Sequence, residues 1–224
     1  MKPAVALLAA LTAFAAGGCA HLRDKEPGAP AVAGSDGLTY DARRARLTAV
    51  DAWETSGRLA VDTGERGFQG SFRWQQHGDE LELVVRGAPL RTVVLQVAGT
   101  SKSLTVTARG DDPRVLDDPE TQLSELLGWW LPVTSLRAWL LGFPDPQFPA
   151  TTAPGTEGTL ASFEQRLWNV SYVSYQLGAG RSAAAPSSGD AGAAGALLLP
   201  RRIDMKHGEL GVRLTIDDWH PSAP

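Results

Sequence analysis

The chain has 224 residues, a formal net charge of −4 and a single cysteine. Arginines scattered among acids, with no basic block, leave nucleic-acid binding without an electrostatic footprint, and one cysteine excludes an intramolecular disulfide. With 43% hydrophobic residues, the roughly 185 residues that follow an N-terminal leader and linker suffice for one domain with a sizeable core.

Lys2, the apolar run Ala4 to Ala16 and then Gly17-Gly18-Cys19 read as a secretory signal, too short to span a bilayer, so residues 1–18 are expected to leave the mature chain. The segment resembles a bacterial lipoprotein signal, although Ala16 stands where that motif usually has leucine. The resemblance implies that Cys19 becomes a lipidated N-terminus carrying chains such as palmitate, and Ala20, not being aspartate, implies sorting to the outer membrane. Cleavage that leaves Cys19 as a free thiol is the alternative. Residues 19–37, rich in Ala, Gly and Pro, read as the anchor and a flexible tether; the domain is expected over 38–219 and a tail over 220–224.

Tyr40 to Val50 has a helical apolar face of Tyr40, Leu47 and Val50, with arginines opposite. From Trp53 the period changes to two. Arg58 to Val61 precede a turn at Thr63 to Gly67, after which Phe68, Gly70, Phe72 and Trp74 alternate with polar residues. Gly78-Asp79 turns the chain into Leu81, Leu83 and Val85; Val93, Leu95 and Val97 follow, then Leu104 and Val106. Connections this short make an antiparallel meander. Arg109 to Asp118 is expected to be a polar loop and Phe143 to Gly158 an irregular Pro- and Gly-rich passage. Leu160 to Gln165, the alternation of Trp168, Val170 and Tyr172, Leu198 to Lys206, and Leu210 to Ile216 supply further strands. Residues 178–196, almost wholly Gly, Ala, Ser and Pro, are expected to be a disordered insertion between two of them.

The densest apolar stretch is Gly128 to Gly142, with three tryptophans and one charge. Asp118-Pro119-Glu120 is a helix start, Leu123, Leu126, Leu127 and Trp130 share a helical face, and Gly128 breaks the helix. Pro132 opens a second helix, with Val133, Leu136 and Leu140 on one side and a stop at Gly142. Two short apolar helices joined by a tight turn are either ordinary core or a lid over an apolar cavity. With about eight to ten strands, the pattern predicts a mainly β fold with inserted helices: a strongly curved antiparallel sheet whose apolar face the helices cover, or a barrel left incompletely closed.

Nothing in the chain predicts catalysis or a cofactor. His21, His77, His207 and His220 have no partner at metal-ligand spacing, so no metal site is expected. The pairs Asp111-Asp112, Asp117-Asp118 and Asp217-Asp218 suit turns and caps better than opposed acid and base, and no nucleophile elbow, phosphate loop or Cys–His dyad is present. The expected activity is binding.

Phe72-Arg73-Trp74-Gln75, Pro89-Leu90 after a strand, the Leu-Pro-Val and Leu-Arg-x-Trp-Leu-x-Gly of the central block, and a last strand ending in Ile216-Asp217-Asp218-Trp219 together resemble the LolB family of outer-membrane lipoprotein receptors. The resemblance covers nearly all of the mature chain. It implies a curved, incompletely closed antiparallel β-barrel with a helical lid over an acyl-chain cavity, filled from a LolA-like periplasmic carrier and emptied into outer-membrane lipid, in a monomeric, lipid-anchored protein on the periplasmic face. It also implies that Leu90, beside Pro89, is a membrane-inserting residue, with Arg91 standing where the family usually has glycine. Alternation in the strands and spacing in the helices nominate Phe72, Trp74, Leu83, Val85, Leu95, Leu126, Trp130, Leu136, Leu140, Trp168 and Tyr172 as the cavity lining. Another lipid- or glycolipid-binding lipoprotein, or a structural lipoprotein of an outer-membrane assembly, are the alternatives.

Overall fold

A computed structural model describes residues 28–178 and 197–221. The leader, Cys19, most of the insertion and residues 222–224 lie outside the described residues. Twelve strands and three helices follow in the order β1 (Ala31–Ala33), α1 (Tyr40–Thr48), β2 (Ala52–Asp62), β3 (Gly67–His77), β4 (Glu80–Gly87), β5 (Thr92–Thr100), β6 (Ser103–Ala108), β7 (Arg114–Leu116), α2 (Pro119–Leu127), α3 (Val133–Leu141), β8 (Thr151–Pro154), β9 (Leu160–Gln165), β10 (Trp168–Gly178), β11 (Leu197–His207) and β12 (Leu210–Pro221).

The sheet is two meanders joined at β2 and β12. Its order is β7-β6-β5-β4-β3-β2-β12-β11-β10-β9-β8, so the edge strands β7 and β8 do not pair and the barrel stays open. Antiparallel alternation sorts the connections between two rims. The turns at Thr63 to Arg66, Ala88 to Arg91, Arg166-Leu167 and Gly208-Glu209 lie on one, here the near rim. Those at Gly78-Asp79 and Ser101-Lys102 lie on the far rim.

The sheet curves where glycine removes a side chain from its inner face. A Cβ at Gly57 would lie 2.1 Å from the Thr215 carbonyl oxygen, beside the register shift in β12, and one at Gly70 would lie 2.2 Å from that of Arg86. Neighbouring backbones approach closely there, as a strand bending around a barrel requires.

Three strands were not legible as strands. β1 falls in the expected tether, β7 in the polar loop and β8 in the irregular passage; each has three or four residues, too few for a period of two to show. β1 pairs in parallel with β10 at Ala31↔Ser174 to Ala33↔Gln176, beyond the point where β9 begins. β10 also changes register on both sides of Ser174, so that Tyr175, not Ser174, continues the buried row after Tyr172.

The other departure from expectation is Arg43. On α1 it is read as part of a wet face, but it is buried and donates to Asp36 and to the carbonyl oxygens of Leu38, Glu157 and Gly158. Asp36 Oδ2 also accepts the Leu198 N–H at 2.9 Å, so one buried ion pair holds the segment after β1 to α1 and β11. Burial pushes the Asp36 carboxyl upward, but the Arg43 hydrogen bonds, the N–H groups of Leu198 and Leu38 and the Arg43 charge outweigh it and bring the pKa down to about 2.

Two predictions follow from these contacts. Gly57→Ala and Gly70→Ala should each destabilise the domain by more than about 2 kcal/mol in urea unfolding, because backbone must move to admit the methyl group. Asp36 has a lowered folded-state pKa, so its stabilisation is present above the unfolded value near 4 and lost as pH falls towards about 2. Asp36→Asn should remove that acid dependence and, by leaving Arg43 buried and unpaired, cost about 3 kcal/mol at neutral pH.

Candidate lipid-binding face and its lid

Register brings the strand candidates together. One row across the inner face runs Trp219, Thr55, Trp74, Leu83, Val97 and Val106; the next runs Ile216, Gly57, Phe72, Val85, Leu95 and Ala108. Nearer the near rim come Leu214, Leu59, Gly70 and Gly87, then Val212, Val61 and Phe68. Burial changes along these rows: Phe72, Trp74 and Val85 are buried, whereas Leu83, Leu95, Leu59, Val61, Phe68 and Leu214 stay half-exposed. The inner face is thus apolar yet only partly covered.

The helices α2 and α3 and the turn between them cover the rest. Trp129, Trp130, Leu131 and Leu136 pack, half-buried, against the same cluster, and Leu140 is buried within it. Asp118 caps α2 with Pro119 behind it, and Gly128 and Gly142 close the two helices in the left-handed conformation, φ 77° and 99°. α2 rests on a smaller cluster of Leu123 with Val97, Leu104, Val106, Leu116 and Val133.

Three nominated residues lie elsewhere. Leu126 is 37% exposed, and Leu123 and Leu127 provide the packed side of α2 instead. Trp168 and Tyr172 are buried beneath α3, where Trp168 packs on Trp139 at 6.2 Å and the Tyr172 hydroxyl donates to the Trp139 carbonyl at 2.7 Å. Burial, first, and the neighbouring tyrosines hold the Tyr172 phenol well above its ordinary pKa, so it stays a donor. This half of the interior is filled core. A cleft of about 540 Å³ lies outside the inner face, beside β8, among Thr151, Glu164, Asn169 and Lys206.

Two groups that the sequence did not nominate hold the lid. Gln165 accepts from the Trp139 indole N–H at 2.8 Å and the Asp145 N–H at 2.9 Å, and donates to the Asp145 and Phe148 carbonyls, which uses every hydrogen-bonding position of its amide. Ser135 donates to Asp145 at 2.8 Å. This network seats α3. The second group is Glu120 of α2. Its carboxylate accepts the Thr134 N–H at 3.3 Å, capping a helix that begins at Pro132 with no side-chain cap of its own, and it pairs with Arg166 at 2.8 and 2.5 Å. Burial pushes Glu120 upward, but Arg166 and Thr134 outweigh it and leave its pKa below the ordinary value.

Arg166 lies in the β9–β10 turn, its guanidinium 4.1 Å from the Phe148 ring centroid and 5.0 Å from that of Trp130. Trp130 in turn meets His207 at 5.7 Å. The helix pair is thus latched to two turns of the near rim. Neither latch residue carries a periodic signal; Glu120 is legible only as a helix-start acid.

Leu90 stands in the turn closing β4 and β5, 84% exposed, with Pro89 exposed beside it. The Ala88 N–H donates to Gln69 at 3.0 Å, which fixes the base of the turn beside Phe68. Arg91 takes φ 54°, a conformation that costs glycine nothing.

The class of protein is an open antiparallel half barrel with an apolar inner face under a two-helix cover. Residues 51–219 match the family described as outer membrane lipoprotein LolB, and the chain belongs to that family. It is 30% identical over 203 residues to the outer-membrane lipoprotein LolB of Nitrosococcus oceani, covering 90% of each chain. It is 36% identical over 157 residues to that of Cupriavidus pinatubonensis, covering 68% of this chain and 70% of the relative. Among solved structures, a LolA superfamily protein from Nitrosomonas europaea is 8% identical with a TM-score of 0.45, covering 84% and 94%. Family membership makes this an outer-membrane lipoprotein with a general role in lipoprotein localisation rather than an enzyme. Among the described residues no helix is long and apolar enough to cross a membrane, and no group of acids, histidines or cysteines could hold a metal ion.

The latch generates a test. Glu120→Gln removes the charge that faces Arg166 and weakens the cap on α3, so hydrogen exchange of the amides over 119–135 should accelerate by roughly tenfold. The melting temperature should fall by only a few degrees, since the main core does not include Glu120.

Proposed function

We propose that this protein accepts lipoproteins from a LolA-like periplasmic carrier, holds their acyl chains against its inner face and passes them into the outer membrane. The observation that supports it most is the half-exposed apolar strip of Leu59, Val61, Phe68, Leu83, Leu95 and Leu214 facing a latched helix pair, in a chain of this family. A methylene moved from water to an apolar site is worth about 0.8 kcal/mol, so a sixteen-carbon chain left in water costs about 12 kcal/mol. A receptor must therefore offer apolar surface continuously. It must also let go, and an open half barrel holds a chain less completely than a bilayer surrounds it.

In this reading Cys19 carries the anchor, and the protein acts as a monomer. Phe72, Trp74, Val85 and Leu140 form the floor on which the half-exposed residues sit; Trp130 and Leu136 cover the bound chain, and loosening of the Glu120–Arg166 latch admits it. Leu90 enters the bilayer during delivery. Exposed as it is, it does little for stability, but among acyl chains it would contribute roughly 1.5 to 3 kcal/mol of attachment.

Transfer of an acylated lipoprotein from purified LolA-type carrier to this protein tests the function, with failure to accept cargo overturning it. Leu90→Glu should leave folding and acceptance near normal while slowing incorporation of cargo into liposomes at least tenfold. Lost acceptance with normal delivery would instead place Leu90 at the carrier contact.

A further inference from the structure

Leu90 has a counterpart. Among the described residues two large apolar side chains are more than four-fifths exposed, Leu90 at 84% and Leu167 at 87%. Leu167 is the second residue of the two-residue turn between β9 and β10, in which Arg166 and Leu167 both take positive φ, 51° and 64°. Such a turn selects for Asn-Gly, because both positions lie in the left-handed region. A leucine there is unfavourable for the backbone, and at this exposure it returns almost nothing in packing. Folding gives no reason for it.

Its place in the sheet does give one. The turn at Arg166-Leu167 and the turn at Ala88 to Arg91 lie on the same rim of the half barrel. Beneath Leu167 the turn is stiff: the Arg166 side chain is bound to Glu120 and stacked on Phe148. A rigid turn with an apolar tip, on the rim that carries Leu90, is built to enter something apolar.

We propose that Leu167 is a second membrane-contacting residue, so that the domain meets the bilayer through two leucine-tipped turns of one rim. The proposal rests on the reading of Leu90 as a membrane contact. Charges at the turns of this rim are mixed, with Glu65 and Glu209 beside Arg66 and Arg91, so the contact is apolar insertion and needs no anionic lipid. Two contacts also fix the rotation of the domain about the first, which holds the Arg166 latch at the bilayer surface.

The test uses the lipidated protein reconstituted in vesicles of phosphatidylethanolamine and phosphatidylglycerol. An environment-sensitive fluorophore is attached at Leu90→Cys, at Leu167→Cys or at Lys102→Cys on the far rim. Nitroxide-labelled lipids should quench the probes at 90 and 167 by roughly twofold, leave the probe at 102 unchanged, and do so equally without the anionic lipid. Quenching at 90 with none at 167 overturns the proposal and leaves Leu90 standing; quenching at neither position removes the reading of Leu90 too. Protection at 167 that appears only when the carrier is added would make it a carrier contact and also overturn the proposal. As a second readout, Leu167→Asn suits the turn geometry, keeps the fold and should still slow delivery to liposomes roughly tenfold. Normal delivery by that variant would refute a role in the membrane.

Discussion

A sheet that stops short of closure must find another way to cover its inner face. β7 and β8, the two edges, do not pair, and the helix pair inserted between them in sequence spans the opening they leave. The inner face is largely apolar, with Phe72, Trp74, Leu83 and Leu95 among its inward side chains, and the helices cover it with Trp129, Trp130, Leu131, Leu136 and Leu140. The three tryptophans of the central block follow from this constraint. Trp139 faces the filled half, against Phe163 and Trp168. Trp130 sits over the near rim with Arg166 and His207.

The two halves of the interior are built differently. Under α3 the contacts are dense and most polar atoms are matched, the buried Trp168 indole N–H excepted: Gln165 satisfies Trp139 and Asp145, and the tyrosine hydroxyls of Tyr172 and Tyr175 find the carbonyls of Trp139 and Leu160. That half behaves as ordinary core and provides the rigidity that its less completely covered neighbour lacks. Under α2 and the turn after it, the cover rests on a satellite cluster and on one ion pair, with apolar side chains still in reach of solvent. A cover held by a few groups at its end can lift without disturbing the core. The latch lies on the same rim as the exposed Leu90 and Leu167.

Glycine and charge place the remaining parts. Gly57 and Gly70 allow the strands to bend where a methyl group would strike backbone. The buried pair of Asp36 and Arg43 secures the N-terminal segment across α1 and β11 and gives β1 a reason to stay on β10.

Much of this was legible in the chain. Alternation from Phe68 to Val106 and from Trp168 to Ile216, broken by short polar turns, is enough to specify antiparallel strands and to say which side chains share a face; Asp118-Pro119, Gly128 and Gly142 set the helix ends, because caps and left-handed glycines are local requirements. The open sheet and its helical cover could be expected on that basis. What only the tertiary structure decided depends on partners distant in sequence. β1, β7 and β8 are too short for a period and exist because a neighbour offers free hydrogen-bonding groups. The register shift that turns Tyr175 inward, the burial of Arg43 and the latch of Glu120 to Arg166 each join segments whose proximity no local pattern encodes. Leu126 and Leu127 are both apolar, and spacing alone admits either to the packed face; the orientation of α2 against β7 chooses Leu127 and leaves Leu126 to solvent.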